Sequence, residues 1–398
     1  MAKELPRVTL KKPLTRHLQN GHPWLWADAI DVPRGTATGT VVDVVERDGT
    51  FIARGLYDAR SPIALRVATL DPDETVDRKF IARRIAEALR ARRGVIDPKE
   101  VTGFRWMNGE GDRLPGVVVD VYGPGVGASV AVLRLDGDAV RSWRDDVVAA
   151  LVEQGRGIGV THVYERARGA QGTELHGGPP PSPIEIREHG ARFAVDVVHG
   201  QKTGFFLDQR ENRRAIRRIS RGLTVANLFA YTGGFSVQAA LGGARHVTSV
   251  DIAKEAVAAA RANFTLNGID PEQHAFAAVD VFDFLEQARS EKRKFDLVIV
   301  DPPSFAPSER TKDAALKAYR KLNALALDVV AEDGLLASAS CSSHIALDPF
   351  LDMLRDAAVD AGRPLRVLEV HGQPADHPTS PAFREGRYLK FVLLRASR

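Results

Sequence analysis

Hydrophobic positions along the 398-residue chain fall into three successive regimes. From residue 1 to about 72, short Val/Ile-rich runs are broken by turns, as in TGTVVDVVERDGTFIARGLYDARSPIALRVATL, with Asp48-Gly49 as a hairpin signal. No helix of ordinary length fits beyond about residue 30, so this stretch predicts a small β-barrel. DPDETVD (Asp71 to Asp77) is a polar linker into RKFIARRIAEALRARR, where Ile81, Ile85 and Leu89 recur at helical spacing. Residues 78–185 combine that helix with the strands LPGVVVDVYG and ASVAVLRL and a second helix, WRDDVVAALVEQG, an α+β middle domain. Pro179, Pro180, Pro181 and Pro183 can continue neither a helix nor a central strand. GTELHGGPPPSPIEIRE therefore reads as a loop, with a new domain opening soon after it.

From residue 186 to 398, strand and helix signals alternate. LTVANLFA, HVTSVDI, HAFAAVD, FDLVIVD, DGLLASASC, LRVLEVHG and RYLKFVLLRA are strands, and amphipathic stretches such as KEAVAAARANFTLNG and KDAALKAYRKLNALALDVVAEDG lie between them. Near-continuous apolar strands separated by helices predict a doubly wound α/β sheet covered on both faces. The last two strands have no long helix between them, which allows one antiparallel strand.

Composition supports this division. Hydrophobic residues make up 44% and charged residues 27% of the chain, enough apolar material for true cores. At about 150 residues per domain the length suggests two or three domains. No apolar run is long enough to span a membrane, and the charged start MAKELPRVTLKKPL is not a secretory signal. The single cysteine, Cys341, excludes a disulfide framework and a multi-cysteine metal site, and no HExxH pattern offers another, so no metal is expected. The expectation is a soluble protein of a reducing compartment, the cytoplasm. The net charge of +4 is unevenly spread. Arg78 to Arg93 carries seven Lys/Arg against Glu87 alone, and Asp208 to Arg221 carries six Arg against two acids. One such cluster reads as a solvated helix face; two point toward a polyanionic partner, nucleic acid before membrane.

The chemistry is written at strand ends. In doubly wound sheets ligands sit beyond the carboxyl ends of the strands, where the chain reverses direction. Asn227-Leu-Phe-Ala-Tyr-Thr-Gly-Gly-Phe-Ser236 occupies that point, with Gly233 and Gly234 allowing close backbone approach. It is neither GxGxxG nor a P-loop, which argues against a dinucleotide-binding dehydrogenase. Asp251, Asp280 and Asp301 then close three successive strands. Asp251 suits a ribose diol and Asp280 an adenine amine. Any one acid reads as a helix cap, whereas three at one sheet edge form a nucleoside site.

Asn227–Ser236, Asp251, Asp280 and Asp301-Pro302-Pro303 resemble the successive motifs of class I S-adenosylmethionine-dependent methyltransferases. Asn227 stands in the usual acidic position and Ala230 in the place of the first glycine. HGQKTGFFLDQRENR (His199 to Arg213) resembles a segment that a subgroup of RNA methyltransferases places over the methionine end of the cofactor. The N-terminal barrel is similar to a PUA domain, a small RNA-binding module, and NGEGDRLPGVVVDVYG resembles the middle domain of the same enzymes. The whole chain thus resembles the RlmI-type ribosomal RNA (cytosine-C5) methyltransferases. The resemblance implies a Rossmann-like class I methyltransferase domain behind a PUA barrel, S-adenosylmethionine as cofactor and large-subunit (23S) ribosomal RNA as partner, and it leaves a homodimer open. It implies cofactor contacts at Lys202, Asp208, Asn227, Phe229, Ala230, Thr232, Gly233, Asp251, Asp280 and Asp301, while Lys202, Asp208 and Arg210 in the upstream segment are candidates either for the cofactor or for positioning the single cysteine, Cys341.

Carbon 5 of cytosine is not nucleophilic by itself. A thiolate adding to carbon 6 makes it so, and cysteine is the natural nucleophile for that step. Cys341, directly after the strand DGLLASAS, is therefore the expected nucleophile, and Asp301 the group that stabilises charge at the ring nitrogen. Some RNA cytosine methyltransferases carry a second cysteine after the two prolines; here that residue is Ser304. His344 reads as a surface loop residue, and Trp24 and Trp26 as barrel core rather than base-stacking platforms. Two alternatives stand beside this reading: an RNA N-methyltransferase acting on a base amine, and a non-catalytic RNA-binding ribosome-assembly factor.

Overall fold

Alternation along the N-terminal strands sorts their side chains between two environments. In the computed structural model, which describes residues 4–125, 127–167, 171–306 and 308–397, Leu25 is fully buried while its neighbours Trp24 and Trp26 point the other way. Trp26 is 46% exposed. Trp24 lies half-buried outside the barrel core, its indole N–H donating to Glu110 at 2.7 Å and its ring under the Arg66 guanidinium. The expectation that both tryptophans fill the barrel is thus corrected, because a period of two admits only the residue between them.

The chain forms two compact units. The first comprises Met1–Arg187, Val195–Leu207 and Ala375–Gly386; the second comprises Glu188–Ala194, Asp208–Pro374 and Arg387–Arg398. The first unit contains a six-stranded sheet nearly closed into a barrel, in the order Trp24–Trp26, Ile63–Thr69, Phe51–Tyr57, Val41–Val45, Arg7–Leu10, Ile30–Asp31. Val8, Leu10, Leu18, Val42, Val44 and Leu65 are among its buried filling. A five-stranded sheet follows, in the order Thr173–His176, His162–Glu165, Val130–Leu135, Val117–Tyr122, Gly103–Asn108. Thr173–His176 falls in the segment read as a loop. As an edge strand it needs ladder bonds on one side only, and the prolines come just after it.

The helix Arg78–Arg93 starts at Asp77, whose carboxylate accepts the Phe80 N–H at 2.9 Å. Its apolar stripe of Phe80, Ile81, Ile85, Ala88 and Leu89 is buried. Two of its seven basic residues are buried as well. Arg84 pairs with Glu74 and Glu87, each at 3.1 Å, and Arg92 clasps Asp112 and donates to the Arg105 and Asp376 carbonyls at 2.9 and 2.8 Å. Arg78, Lys79, Arg83, Arg90 and Arg93 remain on the surface, Arg83 paired with Glu74. The solvated face is therefore smaller than the charge count implies.

In the second unit the strands are β1 (Thr224–Leu228), β2 (His246–Asp251), β3 (Ala275–Ala278), β4 (Phe295–Val300), β5 (Val330–Ser340), β6 (Leu365–His371) and β7 (Lys390–Ala396). They form one sheet in the order β3-β2-β1-β4-β5-β7-β6. All pairings from β3 to β5 are parallel, and β7 runs antiparallel to both β5 and β6. The chain thus winds one way from β1 through β2 to β3, then returns to β4 on the other side of β1. The helices are α1 (Arg210–Ile219), α2 (Gly234–Leu241), α3 (Lys254–Leu266), α4 (Val281–Ser290), α5 (Lys312–Val329) and α6 (Leu347–Asp360). Phe284, Tyr319, Leu322, Leu336 and Phe350 join the buried strand residues in a continuous core. Two of the six arginines in the second cluster, Arg210 and Arg213, are buried, whereas Arg214, Arg218 and Arg221 are exposed. Arg213 is buried against Glu188 with Nε–Oε1 at 2.7 Å, Arg210 is buried beside Glu211, Arg217 donates to the His189 carbonyl, and Arg218 pairs with Glu369. Counting charges along a sequence cannot reveal that acids distant in the chain neutralise them.

Candidate active site

The reversal between β1 and β4 opens a crevice at their carboxyl ends, and the segment after β1 turns sharply there. Phe229 and Tyr231 adopt left-handed backbone conformations, φ 59° and 46°, and Gly233 follows at φ 79° before α2 begins at Gly234. Non-glycine residues in this region carry strain that the surroundings must hold in place. The turn therefore bends at Phe229 and Tyr231, which is why alanine is accepted at position 230. Gly233 has its own reason to lack a side chain, since a Cβ would lie 2.8 Å from that of Ala260 on α3.

Asp251 ends β2 and grips this turn. Its Oδ2 accepts the Tyr231 N–H at 2.8 Å and its Oδ1 the Ala253 N–H at 3.0 Å. Asn227 is buried on β1, donating from Nδ2 to Ser236 Oγ at 2.9 Å, while its Oδ1 and the Thr232 hydroxyl are buried without hydrogen-bond partners among the described residues. Unmet polar atoms on a strained turn beside a carboxylate suit a polar ligand. Asp280 lies two residues beyond β3 and does cap a helix, its Oδ1 accepting the Phe282 N–H at 2.7 Å. Of the three strand-end acids Asp280 is thus a helix cap, whereas Asp251 binds the turn after β1.

Asp301 follows β4 and accepts from Gln209 Nε2 at 3.0 Å, and Gln209 Oε1 accepts from Asn212 Nδ2 at 2.6 Å. Asp208, also buried, accepts the Tyr388 hydroxyl at 2.8 Å. Lys202 belongs to the first unit, where it is exposed with its ammonium 4.4 Å from the Phe206 ring centroid. Cys341 directly follows β5, half-buried. Since Val300 pairs with Ser338, Asp301 and Cys341 leave adjacent strands at the same edge.

Tyr319 of α5 is fully buried and its phenol oxygen accepts from Ser340 at 3.2 Å. Burial pushes this phenol up to about 12, and the charges of Cys341 and Asp301 add to the rise, so both act on one hydroxyl. Lys390, the first residue of β7, is buried and donates to the carbonyls of Ser342 and of Tyr388, the latter at 2.8 Å. Burial pulls its ammonium down to about 8, opposed by the charge of Cys341. His344 is half-buried with Nδ1 3.4 Å from Glu309, and Ser304 is exposed.

Sequence reasoning missed Gln209, Tyr319, Tyr388 and Lys390. One signal was available for the last two: if the final strand is antiparallel, its beginning lies where the parallel strands end.

A seven-stranded sheet in this order, with one antiparallel strand and acids at the carboxyl edge, defines a class I methyltransferase. Comparison with known proteins narrows the class. Residues 139–393 match the model of the S-adenosylmethionine-dependent methyltransferase family and residues 8–70 that of a PUA-like domain. The chain is 38% identical to a Shewanella amazonensis protein named ribosomal RNA large subunit methyltransferase I, across 98% of this chain and 99% of the relative. A like-named protein of Alteromonas mediterranea is 36% identical over 96% of this chain and 97% of its own. Among solved structures, a candidate methyltransferase complexed with SAH superposes with a TM-score of 0.88 at 26% identity, covering 98% of this chain and 99% of that one. The chain belongs to the S-adenosylmethionine-dependent methyltransferase family, and S-adenosylmethionine is its cofactor. Among the described residues no helix is long and apolar enough to cross a membrane.

Proposed function

We propose that this enzyme methylates carbon 5 of a cytosine in large-subunit ribosomal RNA through a covalent adduct on Cys341. The observation that carries the proposal is the convergence of the chain's only cysteine, Asp301 and the Tyr319 phenol at one sheet edge. The names of the full-length relatives support the RNA substrate. An enzyme acting on ribosomal RNA works in the cytoplasm, where that RNA is.

Bound S-adenosylmethionine supplies an electrophilic methyl group. Asp251 would hold its ribose, Asp280 its adenine amine, and the turn of Asn227, Phe229, Ala230, Thr232 and Gly233 would lie along it. Asp208 is assigned to its methionine end. The Cys341 thiolate adds to carbon 6 of cytosine, which makes carbon 5 an enamine carbon and hence a nucleophile. Asp301, oriented by Gln209, faces the ring nitrogen and holds the proton that offsets the charge arising there. Residues 1–72 serve as the RNA-binding barrel, 78–185 as a middle domain and 186–398 as the catalytic domain. Exposed Lys79, Arg90, Arg93 and Trp26 are the groups available to the RNA backbone and bases.

The test uses RNA carrying 5-fluorocytidine at the target. Fluorine cannot leave as a cation, so the methylated adduct cannot eliminate the thiolate. A complex that survives denaturing electrophoresis, requires S-adenosylmethionine and vanishes in Cys341→Ala is expected. Cys341→Ser should bind cofactor and show no transfer, because a hydroxyl supplies almost no anion near neutral pH. A Cys341→Ala enzyme that methylates cytosine at near wild-type rate would overturn the covalent route and favour transfer to a base amine.

A further inference from the structure

Lys390 has no part in the chemistry assigned to Cys341 and Asp301, yet burying an ammonium is costly unless it is hydrogen-bonded or paired. It sits directly opposite Ser340 in the β5–β7 register, one residue from Cys341 along β5. Its two hydrogen bonds run to Tyr388 on its own segment and to Ser342, the residue immediately after Cys341. The ammonium thereby ties the turn bearing the thiol to the start of β7. Ser342 itself is buried and donates from its hydroxyl to the Ala306 carbonyl at 3.2 Å, which anchors the same turn toward the segment after Asp301.

We propose that Lys390 is a positioning residue for Cys341, its buried ammonium holding the thiol as the reactive thiolate and fixing the turn from which it projects. On ionisation the thiol proton passes to water, and the ammonium keeps its three hydrogens. The proposal deepens the cysteine-adduct reading and rests on it.

Other ionisable groups lie on the elements around this turn. Tyr319 of α5 stays a neutral phenol at neutral pH, and the negative charge that can oppose a thiolate is the Asp301 carboxylate after β4. His344 on the following loop is engaged with Glu309, and Asp208 with Tyr388. Lys390 is the positive group among them. It carries its proton below about pH 8 and loses it as pH rises through that value, so its effect on the thiol belongs to neutral pH. The device comes from topology: only an antiparallel strand can deliver a residue from its first position to the edge where its parallel neighbours finish.

The experiment is the pH dependence of iodoacetamide alkylation of the intact protein, where the single cysteine makes the signal unambiguous. Lys390→Met keeps most of the aliphatic stem and removes the charge. Lys390→Gln is also neutral but keeps N–H groups for the two carbonyls, and serves if the methionine variant does not fold. In either variant the alkylation midpoint should rise by about one pH unit, slowing alkylation at neutral pH about tenfold. Lys390→Arg should stay near the wild-type midpoint. S-adenosylmethionine affinity, read by calorimetry, should not change. A neutral variant with wild-type cofactor affinity and an unmoved midpoint would overturn the assignment. The 5-fluorocytidine trap separates the two ideas: a shifted midpoint with no adduct in the wild type refutes the adduct, and an adduct with an unshifted midpoint refutes the role of Lys390.

Discussion

Replacing Asp251 with alanine tests the cofactor end of the site. The carboxylate already accepts two backbone N–H groups, from Tyr231 at 2.8 Å and Ala253 at 3.0 Å, and these hold the strained turn against the end of β2. A carboxylate has room for about four hydrogen bonds, so two positions remain for the ribose hydroxyls. Loss of the charge-assisted bonds to the ribose should cost about 1.5–3 kcal/mol of binding. At about 1.4 kcal/mol per factor of ten, that is roughly a 10- to 150-fold rise in Kd. Losing the Tyr231 N–H to Asp251 bond, at a residue held at φ 46°, should lower the stability of the unliganded protein by a further ~1 kcal/mol. Asp251→Asn should fall between, because its amide can accept from one N–H while presenting its own N–H₂ to the other. Isothermal titration with S-adenosylmethionine and with its demethylated product should give the same loss factor for both, since they share the ribose. Unchanged affinity in a folded Asp251→Ala protein would remove this carboxylate from the site. A loss confined to S-adenosylmethionine would show that the effect arises at the sulfonium end.

Arg92→Met should destabilise the protein by about 3–5 kcal/mol in urea denaturation, because it leaves Asp112 buried and unpaired; a loss below about 1 kcal/mol would mean the pair is not internal. Glu211 is held down to about 2, chiefly by its hydrogen bond to His189 and also by Arg210, against the opposing effect of burial. A lowered carboxylate contributes stability that is complete above its ordinary range near 4.5 and is lost as pH falls toward 2, so Glu211→Gln should flatten the Tm-versus-pH profile across that window. A variant profile parallel to wild type there would exclude this contribution.

Much of the second unit is legible in the chain because it is written locally. Apolar runs ending in Asp251, Asp301 and Ser340-Cys341 mark strands and their carboxyl ends at once, and helices between them require parallel neighbours. A sheet of that kind has one edge for ligands, so residues distant in sequence could be assigned to one place before any contact was known. What depends on pairing across the chain could not be read that way. Arg84, Arg92 and Arg213 look like surface charge until Glu74, Asp112 and Glu188 arrive beside them. Trp24 and Trp26 look like core until the register gives that place to Leu25. Tyr319 and Lys390 carry no motif, and they bond to the residues on either side of Cys341 because α5 packs under β5 and β7 runs backwards beside it. Strand ends follow from local periodicity, whereas the charge and hydrogen bonding around a reactive group are sums over neighbours that only the folded chain brings together.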